Sequence, residues 1–279
     1  MHITCWGSRG SIPVSGKEYI KYGGDTTCIE IRTASDDIII VDAGTGIRRL
    51  GNQLVQEKRF TYHMIFTHAH WDHLIGFPAL KPLFMDHTRL NVYRCPFPGT
   101  YMENMLATVM KPPNFPVLYA DLRAEIRYID SCPNAFTIGS VTVESIPLSH
   151  PDGGCGYKFT ENDRCFVFLT DNELFFDHPG CCSRDDYMEF CRGADLLFHD
   201  AEYTPSEYES KKGWGHSLYT DVLDLAMDAG VHNLGLFHIN SERTDDQVDL
   251  IVDDCRRIIE EKQSSLHCFA AGCNTTISL

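Results

Sequence analysis

Thr67-His68-Ala69-His70-Trp71-Asp72-His73 places three histidines and one aspartate within a single short stretch. Neutral imidazole and carboxylate are the ligands that zinc, manganese and iron accept. The stretch follows His63-Met64-Ile65-Phe66, an apolar run that reads as a strand. In an extended segment alternate side chains share a face, so His68 and His70 point the same way. Asp72 and His73 then open a turn into Leu74-Ile75-Gly76-Phe77. One piece of chain is thereby able to feed two neighbouring ions. The competing reading is a polar surface loop, and the density of ligands directly after an apolar strand argues against it.

The same pattern recurs along the chain. Ile38-Ile39-Ile40-Val41 ends at Asp42, Val141 to Leu148 leads to His150, and Cys165 to Thr170 ends at Asp171. Leu196-Leu197-Phe198-His199 ends at Asp200, and Leu234-Gly235-Leu236-Phe237 ends at His238. Runs apolar on both faces belong to sheets covered on both sides, which predicts an α/β chain folded as a layered αββα sandwich. A rigid sheet positions catalytic loops at its strand ends. Between the strands, Thr244-Asp245-Asp246-Gln247 is a capping box opening a helix with apolar residues at Val248, Ile251, Val252, Cys255, Ile258 and Ile259. Ser217 is expected to cap a helix stopped by Gly230, and Ser183 another through Tyr187 and Cys191. Residues 81–120 resolve only into a helix near Met102 to Met110. The carboxylates of Asp245, Asp246, Glu260 and Glu261 read as solvated helix faces.

These motifs together resemble the metallo-β-lactamase superfamily, whose signature is His-x-His-x-Asp-His. The resemblance runs through nearly the whole chain. Trp6-Gly7-Ser8-Arg9-Gly10-Ser11-Ile12-Pro13 is similar to the opening of the tRNase Z and cyclic-phosphodiesterase branch. Gly23 to Ile31 is similar to its second strand, and Val41-Asp42-Ala43-Gly44 to its Asp-x-Gly turn. Leu148-Ser149-His150, Leu169-Thr170-Asp171 and Leu236-Phe237-His238 match the later metal motifs. The resemblance implies a four-layer αββα fold and two divalent ions, zinc in first place with manganese or iron as alternatives. It implies that His68, His70, His150 and Asp171 hold one ion, and Asp72, His73, His238 and again Asp171 the other. Two cations roughly 3.5–4 Å apart repel, and a shared carboxylate offsets this. Asp42 is implied to hold the metal loop, which is compatible with its also being a turn residue before Gly44. His216, in Gly215-His216-Ser217, matches a non-ligand histidine near the scissile phosphate. Asp200 resembles the acidic residue that supports it, although the branch carries Glu there. Trp214 either stacks on a base or covers the core.

Composition bounds the rest. The chain has 279 residues, 43% of them hydrophobic, and no linker-like stretch or fixed-period repeat, so one domain over 1–279 is expected. The formal net charge of −15 repels phosphate backbones, so long nucleic acids are expected to be unlikely partners. No Gly/Pro-rich basic insertion resembles the arm with which tRNase Z grips tRNA. The start of the chain lacks a basic region followed by an apolar core, and no apolar run approaches the ~20 residues of a membrane span. A cytoplasmic protein without membrane contact is expected, its oligomeric state open, a homodimer included. The twelve cysteines are scattered and several lie in apolar runs, which reads as reduced, buried thiols.

The expected function is metal-assisted hydrolysis of a small or cyclic phosphodiester. Asp72 would orient the attacking water and His216 protonate the leaving oxygen, with Asp200 behind it. A thioester or lactone hydrolase of the glyoxalase type is the alternative, since it shares the signature and the bridging aspartate. A metal-stabilised binding module without turnover predicts a lost ligand, and none is lost. Zinc β-lactamases of the main subclass carry cysteine where Asp171 stands, and flavo-diiron relatives carry Glu where His70 stands.

Overall fold

In a computed structural model, residues 1–94, 97, 99–130 and 135–279 are described. The chain runs through β1 (His2–Gly7), β2 (Cys28–Arg32), β3 (Ile38–Val41), α1 (Ile47–Gln56), β4 (Thr61–Ile65), α2 (Trp71–Leu74), β5 (Arg89–Tyr93), α3 (Tyr101–Val109) and β6 (Glu125–Ile129). There follow β7 (Ala135–Ile138), β8 (Val141–Pro147), β9 (Cys155–Glu161), β10 (Arg164–Leu169), α4 (Arg184–Phe190) and β11 (Leu196–Asp200). It closes with α5 (Pro205–Tyr208), α6 (Tyr219–Asp228), β12 (Asn233–Phe237), α7 (Asp245–Glu261), β13 (His267–Ala270) and β14 (Thr276–Ser278). Strands β14-β1-β2-β3-β4-β5-β6 form one sheet and β13-β12-β11-β10-β9-β8-β7 the other.

The alternation of side chains along each apolar strand explains the layering. Ile39 and Val41 of β3 and Phe166 and Phe168 of β10 meet between the two sheets, with Phe198 and Phe237. Their neighbours face outward. Ile38 and Ile40 pack under Ile47, Leu50 and Leu54 of α1, and under Leu106 of α3. Val167, Leu169, Leu197 and Leu234 pack under α6 and α7 through Val222, Leu225, Val252 and Cys255. Strands whose two faces are both buried need helices on both sides, and the αββα sandwich is the result.

Strands β3 to β6 are mutually parallel, as are β10 to β13. Their carboxyl ends lie at the same edge of each sheet, where ligands of open α/β sheets bind. Asp42 and His238 directly follow β3 and β12, Asp171 follows β10 after Thr170, and all three adopt left-handed backbone, with φ of 62°, 52° and 54° for Asp42, His238 and Asp171. Residues other than glycine rarely hold that conformation unless the surrounding structure imposes it.

The capping boxes at Thr244 and Ser183 form as expected. Ser217 does not cap α6: Leu218 is its N-cap, and the Ser217 hydroxyl instead donates to the Asn172 carbonyl at 2.6 Å. Asp245 is not solvated. It accepts the Lys21 backbone N–H at 2.7 Å and lies 3.7 Å from the buried Arg9 guanidinium. A carboxylate in the first turn of a helix accepts from whatever donors the neighbouring loop presents, and sequence spacing along the helix does not reveal that loop. The ten described cysteines are free thiols, six of them buried. Cys95, Pro96 and Pro98 of the 81–120 stretch, and Cys132, lie outside the described residues.

Phe168 lies in the inter-sheet core, with its ring 5.0 Å from that of Phe237. Phe168→Ala is expected to lower unfolding stability by about 3–5 kcal/mol, the range for truncating a buried phenylalanine. The midpoint shift in urea denaturation checks it.

Candidate metal centre

The strand ends bring the sequence-predicted residues to one buried place. Ligand atoms of His68, His70, His150 and Asp171 lie within 4.8 Å of one another, and so do those of Asp72, His73, Asp171 and His238. Asp171 belongs to both groups. Its Oδ1 is 3.6 Å from His68 Nε2 and 3.2 Å from His238 Nε2, and its Oδ2 is 3.2 Å from His73 Nε2. A third overlapping group adds Asp200 and His216 to Asp171 and His238.

The rings are held from behind. His73 Nδ1 is 2.8 Å from Asp42 Oδ2, and His238 Nδ1 is 2.9 Å from Glu202 Oε2. His68 Nδ1 is 3.1 Å from the Thr67 hydroxyl. This back-bonding fixes each ring and leaves its other nitrogen facing the cluster. The Nε2 atoms of His68 and His73 and the Nδ1 of His150 are buried without a hydrogen-bond partner. Buried polar atoms are rarely left so, and a cation is the group that these lone pairs fit. Asp72 Oδ2 accepts the Ser11 N–H at 2.9 Å and lies 3.3 Å from both His73 Nε2 and His238 Nε2.

Asp42 is fully buried and saturated. It accepts the Thr67 N–H at 2.8 Å and the Thr67 hydroxyl at 2.7 Å besides facing His73. It thus ties the end of β3 to the first residue of the 67–73 loop. Burial pushes the Asp42 carboxyl up from its ordinary value, opposed by the His73 and Thr67 contacts. Burial lowers His68 well below the usual imidazole range, so it is a neutral base with a lone pair to give. Burial also pulls His73 and His238 down, but the carboxylates around them outweigh it and hold both well above that range.

His216 stands apart from the 67–73 loop. Its Nδ1 is 2.5 Å from Asp200 Oδ2, and its ring stacks on that of His238 with centroids 4.5 Å apart. Asp200 also accepts the backbone N–H groups of Glu202 at 3.1 Å and Ser217 at 3.3 Å, so one carboxylate anchors both the ring and its loop. His70 differs from the other ring donors. It is half-exposed, and its Nε2 lies 3.0 Å from Asp152 Oδ2. Trp214 is 58% exposed beneath the Lys211 ammonium, which removes its core reading.

Sequence reasoning missed Glu202 and Asp152. Each lies two residues beyond a residue it singled out, Asp200 and His150, and that proximity was the available signal. Neither contact is set by spacing along the chain, because each partner arrives from another strand.

Residues 38–239, well over half of the chain, match the sequence pattern of the beta-lactamase superfamily domain. The chain belongs to the β-lactamase superfamily. Ribonuclease Z of Haloarcula marismortui is 23% identical, with 92% of this chain aligned to 91% of that one. The structure of human tRNase Z, short form, superposes with a TM-score of 0.67 at 18% identity, covering 100% of this chain and 99% of that one. A diphosphatase from the PhnP family gives 0.68 at 19% identity, covering 100% and 97%. This superfamily member therefore has the metallo-β-lactamase fold, resembles the tRNase Z-like branch and is a metallohydrolase whose fold implies divalent metal ions.

The expectation that long nucleic acid is an unlikely partner does not stand, because relatives spanning nine-tenths of this superfamily member are named ribonuclease Z. The physical reason is that net charge is a sum over the whole surface. Fields from distant carboxylates are screened beyond roughly 8 Å at physiological salt. Attraction at a cleft depends on the charges beside it, and bound divalent ions would be the largest of them. Among the described residues, no helix is long and apolar enough to cross a membrane.

Asp42→Ala strands the Thr67 N–H and His73 Nδ1 in a dry interior. Each orphaned group costs roughly 1–3 kcal/mol. A lower urea midpoint for the metal-free variant than for the metal-free parent is the expected result.

Proposed function

We propose that this chain is a phosphodiesterase that works with two divalent ions, zinc in first place and manganese or iron as alternatives. The observation that carries the reading is the buried His216–Asp200 pair, stacked on His238 beside both clusters but outside the signature loop. Hydrolysis of a phosphodiester expels a basic oxygen that needs a proton, and a histidine backed by a carboxylate is suited to give it. The names of the relatives, a ribonuclease and a diphosphatase, support the same chemistry.

In this reading His68, His70, His150 and Asp171 hold one ion, and Asp72, His73, His238 and Asp171 the other. Such a pair, when bound, supplies Lewis acidity and lowers the pKa of water toward ~7. Asp72, its Oδ2 fixed by the Ser11 N–H, orients the attacking water and accepts its proton. His216 keeps Nδ1 on Asp200 and uses Nε2 to protonate the leaving oxygen. Burial pulls its pKa down, but Asp200 and Glu202 outweigh this, and the value is pushed up to about 9. A groove of about 390 Å³, lined in part by Trp71, Ile75, Met105 and Phe115, seats the organic part of the diester. Trp71 links it to the centre, being flanked by His70 and Asp72.

Elemental analysis of the purified protein is expected to approach two metal equivalents per chain. Asp171→Ala should lose tight binding of both ions, since each shares that carboxylate; a variant that keeps one ion at full affinity contradicts the bridging role.

His216→Ala should keep both metals and the fold and lower kcat by roughly 10²–10⁴, the range for general acid–base help. The loss should shrink for p-nitrophenolate, which leaves without protonation. The measurement is metal content and kcat on two diesters of different leaving-group pKa.

The substrate class is tested on bis-p-nitrophenyl phosphate, cyclic nucleotides, a pre-tRNA, a thioester and a lactone, each with metal-loaded protein. Turnover of phosphodiesters is expected. Turnover of the thioester or lactone alone makes the protein an acyl hydrolase instead.

A further inference from the structure

Glu173 lies two residues beyond Asp171, and its carboxylate is buried. Among the described residues it has no Lys or Arg beside it. Its ion-pair partner there is His178, at 3.0 Å from Oε2. Three further donors converge on it. The Tyr208 hydroxyl and the Gly213 N–H donate to Oε1, each at 2.8 Å, and the Gly215 N–H donates to Oε2 at 2.8 Å. A carboxylate offers about four acceptor sites, so this one is saturated. A charge placed in a dry interior is costly and persists only where its hydrogen bonds are all made.

Two of the donors are the backbone amides on either side of Trp214, and the second belongs to the residue just before His216. The loop that they fix is tightly constrained. Gly215 has φ of +94°, and a Cβ there would fall 2.3 Å from the His150 ring. The backbone therefore runs flat against one candidate ligand while the next side chain stacks on another, His238. The segment that carries Glu173 adds two more ties. The Leu174 N–H donates to the Ser217 hydroxyl at 3.1 Å, and that hydroxyl donates to the Asn172 carbonyl at 2.6 Å.

The geometry points to Glu173 as the positioning residue that sets His216 for proton transfer, by pinning the Gly213 and Gly215 amides to the loop that begins at Asp171. It does not touch substrate. It couples the placement of the general acid to the placement of the carboxylate shared by both clusters. The inference rests on the phosphodiesterase reading, in which His216 is the acid. An isosteric amide cannot replace this carboxylate: the –NH₂ of glutamine would face either Gly213 or Gly215 with donor against donor.

Glu173→Gln tests it, with His216→Ala and the double variant, on a diester with a poor leaving group. Glu173→Gln should keep the metal content of the parent and lower kcat roughly 10- to 100-fold with KM little changed, the scale of an ångström's misplacement of a catalytic group. In the His216→Ala background the same substitution should cost less than about threefold, because residues acting as one unit are not additive. An equal loss in both backgrounds, or loss of metal, overturns the inference. If the parent turns over no phosphodiester, the reading of the reaction fails, and amide hydrogen exchange then decides the positioning claim by itself. The Gly213 and Gly215 amides should be protected in the parent and exchange at least tenfold faster in Glu173→Gln, while amides of β10 and α6 stay unchanged. Unprotected glycine amides in the parent, or unchanged exchange in the variant, overturn it.

Discussion

A buried carboxylate shared among histidines governs this molecule. Asp171 is essentially inaccessible to solvent and lies within 3.6 Å of nitrogens of three histidines from two strand-end loops, His68 and His73 after β4 and His238 after β12. No lysine or arginine compensates it among the described residues. Burial raises its pKa, yet the facing histidines outweigh this and hold it well below the usual carboxylate range. Such an anion persists in a dry interior only if positive charge is supplied around it. Its Oδ2 also accepts the Thr170 hydroxyl at 2.7 Å, which fixes its orientation.

The surrounding structure is arranged in pairs that follow from that need. Rings facing the cluster are held from behind by an oxygen: His73 by Asp42, His238 by Glu202 and His216 by Asp200, each from another part of the chain, and His68 by its neighbour Thr67. A ring held at one nitrogen presents the other in a fixed direction. Glu202 in turn accepts from the Asn240 side chain at 2.9 Å, and Asp72 from the Ser11 amide. The supports come from opposite halves of the sandwich, so the site exists only when both sheets are packed together.

Both sheets contribute in the same way. Strands β3, β10 and β12 end on an apolar residue, Val41, Leu169 and Phe237, and the chain then turns sharply. Asp42, Asp171 and His238 hold left-handed backbone at that turn, where each costs roughly 1–3 kcal/mol. The aromatic core between the sheets, from Phe166 and Phe168 to Phe198 and Phe237, keeps the strand ends from relaxing. Stability made by packing is thereby set against strain at the residues that line the centre.

The apolar runs of β3, β10, β11 and β12 and the ligand cluster at 67–73 were legible in the sequence by themselves. Two-sided burial and ligand density are local properties that residue types display directly. The strand-end positions of Asp42, His150, Asp171, Asp200 and His238 were legible for the same reason. Only the tertiary structure decided that Glu202 holds His238, that Asp152 faces His70, and that Ser217 serves Asn172 instead of capping α6. It also exposed Glu173, an acidic residue that spacing leaves unmarked. Hydrogen bonds of that kind join residues many positions apart through loops whose paths depend on how two sheets pack. A single side chain does not announce such a partner, because the partner's position is a property of the folded whole.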